Sequence, residues 1–206
     1  MDYVLTTREL AYLIKKARID FKNLPISAGQ PLFNSGSGAA AIYGASGGVM
    51  ESALRTAVFL LSDKKNRNKN KNINKILDSC LEFTAVRGLD GLKEASIKIA
   101  GKNLKVAVVN GLGNFSKILP KLKKYHYVEV MACPGGCIGG GGQPIPTTRE
   151  ICQKRIAGLY KIDKGRNIRR AHENVMMQTY YQWVKDRQLL SKLIYTKFKK
   201  SKKSLF

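Results

Sequence analysis

The sequence predicts an α/β fold built on a parallel βαβ lobe, and three observations carry that prediction. Leu104 to Asn110 (LKVAVVN) and Tyr127 to Met131 (YVEVM) are short runs rich in β-branched residues, the mark of strands. A glycine turn at Gly111 to Gly113 follows the first run, and Asn114 to Lys124 then reads as a helix leading to the second. Nearer the N-terminus, Ala39 to Leu61 repeats the order of strand, glycine turn and helix. Parallel strands need such crossovers, with helices covering the sheet.

From the N-terminus, Tyr3-Val4-Leu5 reads as a short strand. Thr6-Thr7-Arg8-Glu9 supplies a capping box, with Thr6 as N-cap and Glu9 three residues on, and so opens a helix. Leu10, Leu13, Ile14 and Ala17 recur on one face of that helix as a core stripe. Asn23 to Gly38 is a loop by its Pro, Ser, Asn and Gly content. Ala39 to Tyr43 is expected as a strand of small residues with apolar side chains on both faces. After Gly44 to Gly48, a helix places Met50, Leu54, Ala57, Val58 and Leu61 on one side. Residues 62–75 hold a low-complexity Asn/Lys insertion too polar to bury.

With 206 residues and 44% apolar content, the chain can bury a core of its own. No run of eighteen or more apolar residues occurs, so no bilayer span is expected, nor is Met1-Asp2-Tyr3 expected to open a signal peptide. Four cysteines are too few for a disulfide scaffold and fit a reducing compartment. The net charge of +23 would by itself suggest nucleic acid or an anionic membrane. Most of that charge sits in Lys64 to Lys75 and in the tail from Lys185 to Lys203. Beyond Tyr195 and Phe198, neither segment interleaves the aromatic residues that stack on bases, so the charge reads as solvated decoration.

Gly111-x-Gly113, followed by Glu129 in the next strand, imitates a dinucleotide fingerprint, but Ser116 stands at the third glycine position. The strand itself is more informative. Alternation along Val128 to Cys133 sends Glu129, Met131 and Cys133 to one face and the two valines to the other. Pro134 suits the first position of a helical turn, which would bring Cys133 and Cys137 to one side with Cβ atoms about 5–6 Å apart. Thiolates so placed can reach neighbouring irons of one cubane cluster. Glycines at 135, 136 and 139 to 142 let the backbone approach a bulky anionic cofactor and turn N–H groups toward it. The plainer alternative for Cys-x3-Cys is a pair of small buried hydrophobes. A zinc site is disfavoured, since there is no second cysteine pair and His126 and His172 lack ligand spacing.

The whole string from Glu129 to Pro144, EVMACPGGCIGGGGQP, closely resembles the third cluster-binding signature of the iron-only (di-iron) hydrogenases, E-x-M-x-C-x-x-G-C-x-x-G-G-G-Q-P. Asp2 to Leu10, Ile42 to Glu51, Val86 to Gly91 and Asn110 to Asn114 resemble further landmarks of that family in the same order. Beyond Pro144, the pattern of Arg155, Leu159-Tyr160, Asp163, His172-Glu173-Asn174 and Tyr180 is similar to the small-subunit region, with Val175 in place of the usual proline. The resemblance implies a large-subunit part over residues 1–148 and a small-subunit-like helical wrap over 149–206.

It also implies a two-part cofactor, the H-cluster. A 4Fe-4S cubane is joined through one cysteine sulfur to a di-iron subcluster with carbonyl, cyanide and bridging dithiolate ligands. Cys133 matches a cubane ligand and Cys137 the bridging ligand, while Met131, Tyr43 (usually Phe) and Gly44 match residues bordering the di-iron unit. The implied activity is reversible reduction of protons to H2, with ferredoxin or a similar carrier and hydrogenase maturation proteins as partners, in the cytoplasm or a hydrogenosome. The family's two upstream signatures, T-S-C-C-P-x-W and M-P-C-x-x-K-x-x-E, do not occur here. A cubane takes four ligands, so a missing N-terminal half is expected to supply the others. Cys80 and Cys152 fall in no such motif and read as incidental thiols. Two other readings stay open: a non-catalytic relative acting in iron–sulfur cluster assembly, and a basic nucleic-acid-binding protein.

Overall fold

The computed structural model describes residues 3–27, 36–61, 81–99 and 101–194. The Asn/Lys insertion, Cys80 and most of the basic tail fall outside the described residues.

The fold is α/β, as expected, around one small sheet. Strands β1 (Leu92–Ile99), β2 (Lys102–Asn110) and β3 (Tyr127–Met131) lie in the order β1-β2-β3. β2 and β3 are parallel, with Val106 opposite Tyr127 and Asn110 opposite Met131. β1 was not anticipated; it pairs antiparallel with β2 across a tight turn at Gly101, φ +78°, which makes the sheet mixed. Its signal is the inward alternation of Ala95, Ile97 and Ile99, interrupted by the polar Glu94, Ser96 and Lys98.

β2 is central, and Val106 to Val109 are all buried, as expected of a strand covered on both faces. Helix α1 (Thr7–Lys16), α2 (Gly38–Ile42) and α3 (Gly48–Leu61) precede the sheet. Met50, Leu54 and Val58 of α3 form the main core with Val86, Ile99, Val106 and Val108. Burying each such side chain is worth about 1.5–3 kcal/mol.

Three local expectations are corrected. Ala39 to Tyr43 is not a strand: α2 occupies it, with Ser37 Oγ accepting from the Ala40 amide at 3.2 Å. Alanine is the strongest helix former and serine a favoured N-cap, which outweighs the apolar character of the run. The expected crossover helix is two 3-10 turns, Leu112–Lys117 and Leu119–Lys124, with Ile118 buried between them. Pro120 has no amide to donate and disfavours helical backbone at Leu119, so an α-helix does not run through. Among the described residues, Tyr3 to Leu5 pairs with no strand.

The capping box of α1 is present in full, Thr6 Oγ1 accepting from the Glu9 amide and the Glu9 carboxylate from the Thr6 amide. Its apolar stripe does not enter the core, however, for Leu10 is 51% exposed and no residue of α1 is buried. Amphipathic spacing reports a face suited to packing, and here nothing among the described residues covers it.

The C-terminal wrap consists of α4 (Arg149–Lys164), α5 (Val175–Asp186) and the short α6 (Leu190–Ile194). A buried ionic network fastens α4 to α3. The Arg55 guanidinium donates to both oxygens of Asp163 at 2.8 Å, to Glu51 Oε1 at 2.9 Å, and to the Leu81 and Arg169 carbonyls. Glu51 also accepts from Arg87 and, at 2.8 Å, from the Tyr160 hydroxyl. Arg169 completes the set, donating to Asp163 at 2.6 Å and to Glu82 at 2.8 Å. Burial opposes the charge on Arg55, but the Asp163 and Glu51 carboxylates outweigh it and raise its pKa. Burial likewise opposes ionisation of Asp163, and the Arg55 and Arg169 hydrogen bonds reverse it, so the carboxyl lies below its usual range. Among the described residues no helix is long and apolar enough to cross a membrane.

Candidate metal-binding loop

The loop from Cys133 to Gln143 emerges at the C-terminal ends of the parallel pair β2 and β3, the usual place for a ligand in such a sheet. Both strand ends hold it. The Asn110 carboxamide oxygen accepts from the Gly135 amide while its nitrogen donates to the Leu89 carbonyl at 3.0 Å. The Met131 carbonyl accepts from Gly111 at 2.8 Å.

After Cys133 the chain makes a β-turn closed by the Gly136 amide on the Cys133 carbonyl at 3.0 Å, with Pro134 and then Gly135 at φ +85° in its centre. That is the type II pattern of proline followed by a positive-φ glycine. It replaces the helical turn expected at Pro134, and a 3-10 turn at Cys137–Gly139 comes only afterwards. A second glycine is required at 136, where φ is +84° and a Cβ would meet the Ser46 nitrogen at 2.8 Å and the Gly44 carbonyl at 2.9 Å.

That close approach brings the predicted site residues together. The Gly44 carbonyl accepts from the Ile138 amide at 3.1 Å, and the Ser46 amide donates to Gly135 at 3.0 Å. Gly44 and Cys137 therefore sit on adjoining, hydrogen-bonded segments. Tyr43 precedes them, half-exposed, its hydroxyl 3.3 Å from Ser52 Oγ. Met131 is half-buried at the end of β3. Cys137 is exposed and Cys133 half-buried, with Cys133 Sγ 3.6 Å from where a Cβ on Gly140 would lie. Cys152 is buried on α4, its sulfur 3.6 Å from the same position on Gly139. It lines a cavity of about 370 Å³ with Leu89, Pro134, Thr148 and Arg149.

Glu129 has a different task from its neighbours on the strand. Its carboxylate accepts from the Gly47 and Met50 amides, both at 2.6 Å, and so caps the N-terminus of α3. Burial raises its pKa, while those backbone hydrogen bonds pull it down. Glu129→Gln is expected to lower stability by about 1–3 kcal/mol in urea unfolding, because an amide NH2 would face a buried N–H. An unchanged midpoint would refute the capping role.

Sequence reasoning missed three contacts on the loop. Arg8 entered only within a capping box and a family-like segment and Arg155 only as a landmark, yet both donate to loop carbonyls. Asn110 entered only as the end of a strand and the start of a family-like landmark, with no hint of its hold on the loop. Among the described residues no group of three or more His, Cys, Asp or Glu side chains gathers to hold a metal ion. The loop therefore offers two thiols among glycines, the soft donor type that iron–sulfur clusters take, and two is half the number that a cubane needs.

Residues 1–141 match the family described as iron only hydrogenase large subunit, C-terminal domain, and residues 149–193 match the iron hydrogenase small subunit. The periplasmic Fe hydrogenase large subunit of Nitratidesulfovibrio vulgaris is 44% identical over 165 residues, covering 78% of this chain and 36% of that protein. A probable cytosolic Fe-S cluster assembly factor of Drosophila virilis is 46% identical over 91 residues, covering 39% of this chain and 19% of that one. The FeFe-hydrogenase HydA1 from Chlamydomonas reinhardtii superposes with a TM-score of 0.60 at 35% identity, covering 88% of this chain and 51% of the algal one. The chain thus spans about a third of the length of the bacterial hydrogenase subunit it resembles. By sequence and by fold, it belongs to the iron-only hydrogenase family.

Proposed function

We propose that this chain is the C-terminal part of an iron-only hydrogenase catalytic domain, residues 1–148, followed by a small-subunit-like region, residues 149–206. In this reading it contributes to the reversible reduction of protons to H2 when joined to a polypeptide carrying the remaining cluster ligands. The observation that supports it is the presence of Cys133 and Cys137 on one glycine loop that is hydrogen-bonded to Gly44.

When bound, the H-cluster would supply the two-electron chemistry of protons and H2. Cys133 would hold an iron of the 4Fe-4S cubane, and Cys137 would hold another and link to the di-iron unit with its carbonyl, cyanide and dithiolate ligands. Met131, Tyr43 and Gly44 would border that unit, where the thioether and ring exclude water from one side. Soft thiolates select iron–sulfur chemistry over the hard cations that oxygen ligands favour. Ferredoxin or a similar carrier would deliver electrons, and hydrogenase maturation proteins would install the cofactor.

Two thiolates are half of a cubane's ligands, so the isolated chain is expected to evolve no hydrogen from reduced ferredoxin, measured by gas chromatography. Production well above a protein-free control would overturn this reading. The likeness to a Fe-S cluster assembly factor favours one second reading, in which the chain holds a cluster without evolving hydrogen. A complex with the N-terminal half that takes up iron and sulfide yet makes no H2 would support it.

A further inference from the structure

Most carbonyl groups of the cysteine loop are engaged, while three of its amides are left over. Between Cys137 and Pro144, the Cys137 carbonyl accepts from Gly140 at 3.1 Å and from Gln143 Nε2 at 3.1 Å, and the Gly140 carbonyl accepts from the Gln143 amide at 3.0 Å. Two arginines take four more. Arg155 of α4 donates through Nη1 to the Ile138 carbonyl at 2.7 Å and through Nη2 to that of Pro144 at 2.8 Å. Arg8 of α1 donates through Nη2 to Gly141, and its own amide reaches the Gly142 carbonyl at 3.2 Å. The amides of Cys137, Gly141 and Gly142, by contrast, have no acceptor among the described residues.

A loop whose oxygen dipoles are mostly tied back, with three N–H groups left over around Cys137 and the glycines at 141 and 142, is arranged for a negatively charged neighbour. The Arg155 fork spans two peptide units from the small-subunit-like helix, and Arg8 holds two more from the N-terminal arm, one through its side chain and one through its own amide. Glycines have no side chains with which to hold such a conformation themselves. Thr6 wedges the same place, its Cβ lying 2.5 Å from where a Cβ on Gly142 would be.

We propose that Arg8 and Arg155 are positioning residues that clamp the loop carrying Cys137, so that its thiolate and free amides face an anionic metal–sulfur group. This rests on the reading of Cys133 and Cys137 as paired ligands, and it assigns their geometry to two side chains outside the signature.

The test uses the full chain without any cluster and takes cadmium ion as the probe, following the thiolate-to-cadmium absorption in the ultraviolet. Cys133→Ser and Cys137→Ser should each abolish that band, which establishes the pair. Arg155→Met and Arg8→Met should each weaken cadmium binding at least ten-fold, and Arg155→Lys, which can serve one carbonyl but not two, should fall between Arg155→Met and the parent. Lys154→Met is the control, since it removes a charge from an exposed neighbour on the same helix. The sign is decisive: simple removal of a cation near two thiolates would strengthen binding of Cd²⁺, whereas release of the clamp weakens it. Circular dichroism and thermal unfolding of each variant check the fold, and Arg155→Gln replaces Arg155→Met if the latter is destabilised. Cysteine-dependent binding that is indifferent to, or strengthened by, loss of either arginine overturns the clamp alone. No cadmium uptake by the parent chain overturns the paired-ligand reading and the clamp together.

Discussion

Cys137→Ser is expected to reduce hydrogen evolution to background when the chain is combined with a polypeptide supplying the missing ligands. Serine matches cysteine in shape, but its hydroxyl stays protonated near neutrality and is a poor partner for iron held by sulfide. Because Cys137 is exposed, the exchange should alter stability by no more than about 0.5 kcal/mol. Loss of hydrogen measured by gas chromatography, with an unchanged thermal midpoint, separates a ligand role from a folding defect. Cys152→Ser provides the contrast, since that thiol lies behind the loop on α4 and should leave turnover intact. Retained activity in Cys137→Ser would refute the ligand assignment.

The second large effect concerns stability. Arg55→Met is expected to destabilise the fold by about 3–5 kcal/mol, as when one partner of a buried ion pair is removed and the others keep their charge. Both Arg55 and Asp163 side chains are fully buried in their 2.8 Å pair. Urea unfolding read by far-ultraviolet circular dichroism measures the shift. An exposed pair such as Lys121 with Glu94 should contribute at most about 1 kcal/mol. The pH dependence has a defined sign. Asp163 has a folded pKa below the ordinary aspartate value, so its contribution is complete above that ordinary value and is lost as pH falls through the folded pKa. In Arg55→Met this acid-side loss should shrink, because much of what depresses Asp163 is gone. A midpoint within 1 kcal/mol of the parent would show that the network is not essential.

What the sequence revealed was set by distance along the chain. β2, β3, the capping box of α1 and the stripe of α3 are local patterns spanning ten residues or so, and each is present. The cysteine string was legible as a contiguous signature, but its first turn is a type II β-turn and not the helical turn expected at Pro134. Contacts across long separations were not. Arg55 meets Asp163 across 108 positions and Glu129 meets Gly47 across 82, and neither pair leaves a periodic trace. The error at Ala39 to Tyr43 has another cause: a short alanine run satisfies strand and helix patterns alike, and only the cap at Ser37 decides. The α1 stripe was read correctly as apolar and wrongly as buried, since spacing does not say whether the covering surface is present.

The ionic network has a further consequence for how the polypeptide is joined. Pro144 to Thr148 is exposed along its whole length. Arg55, Glu51 and Arg87 on one side of that connector grip Tyr160, Asp163 and Arg169 on the other. A protease nick in the connector should therefore leave two peptides that still co-elute as one particle, and the same two pieces could be encoded by separate genes without losing their fit.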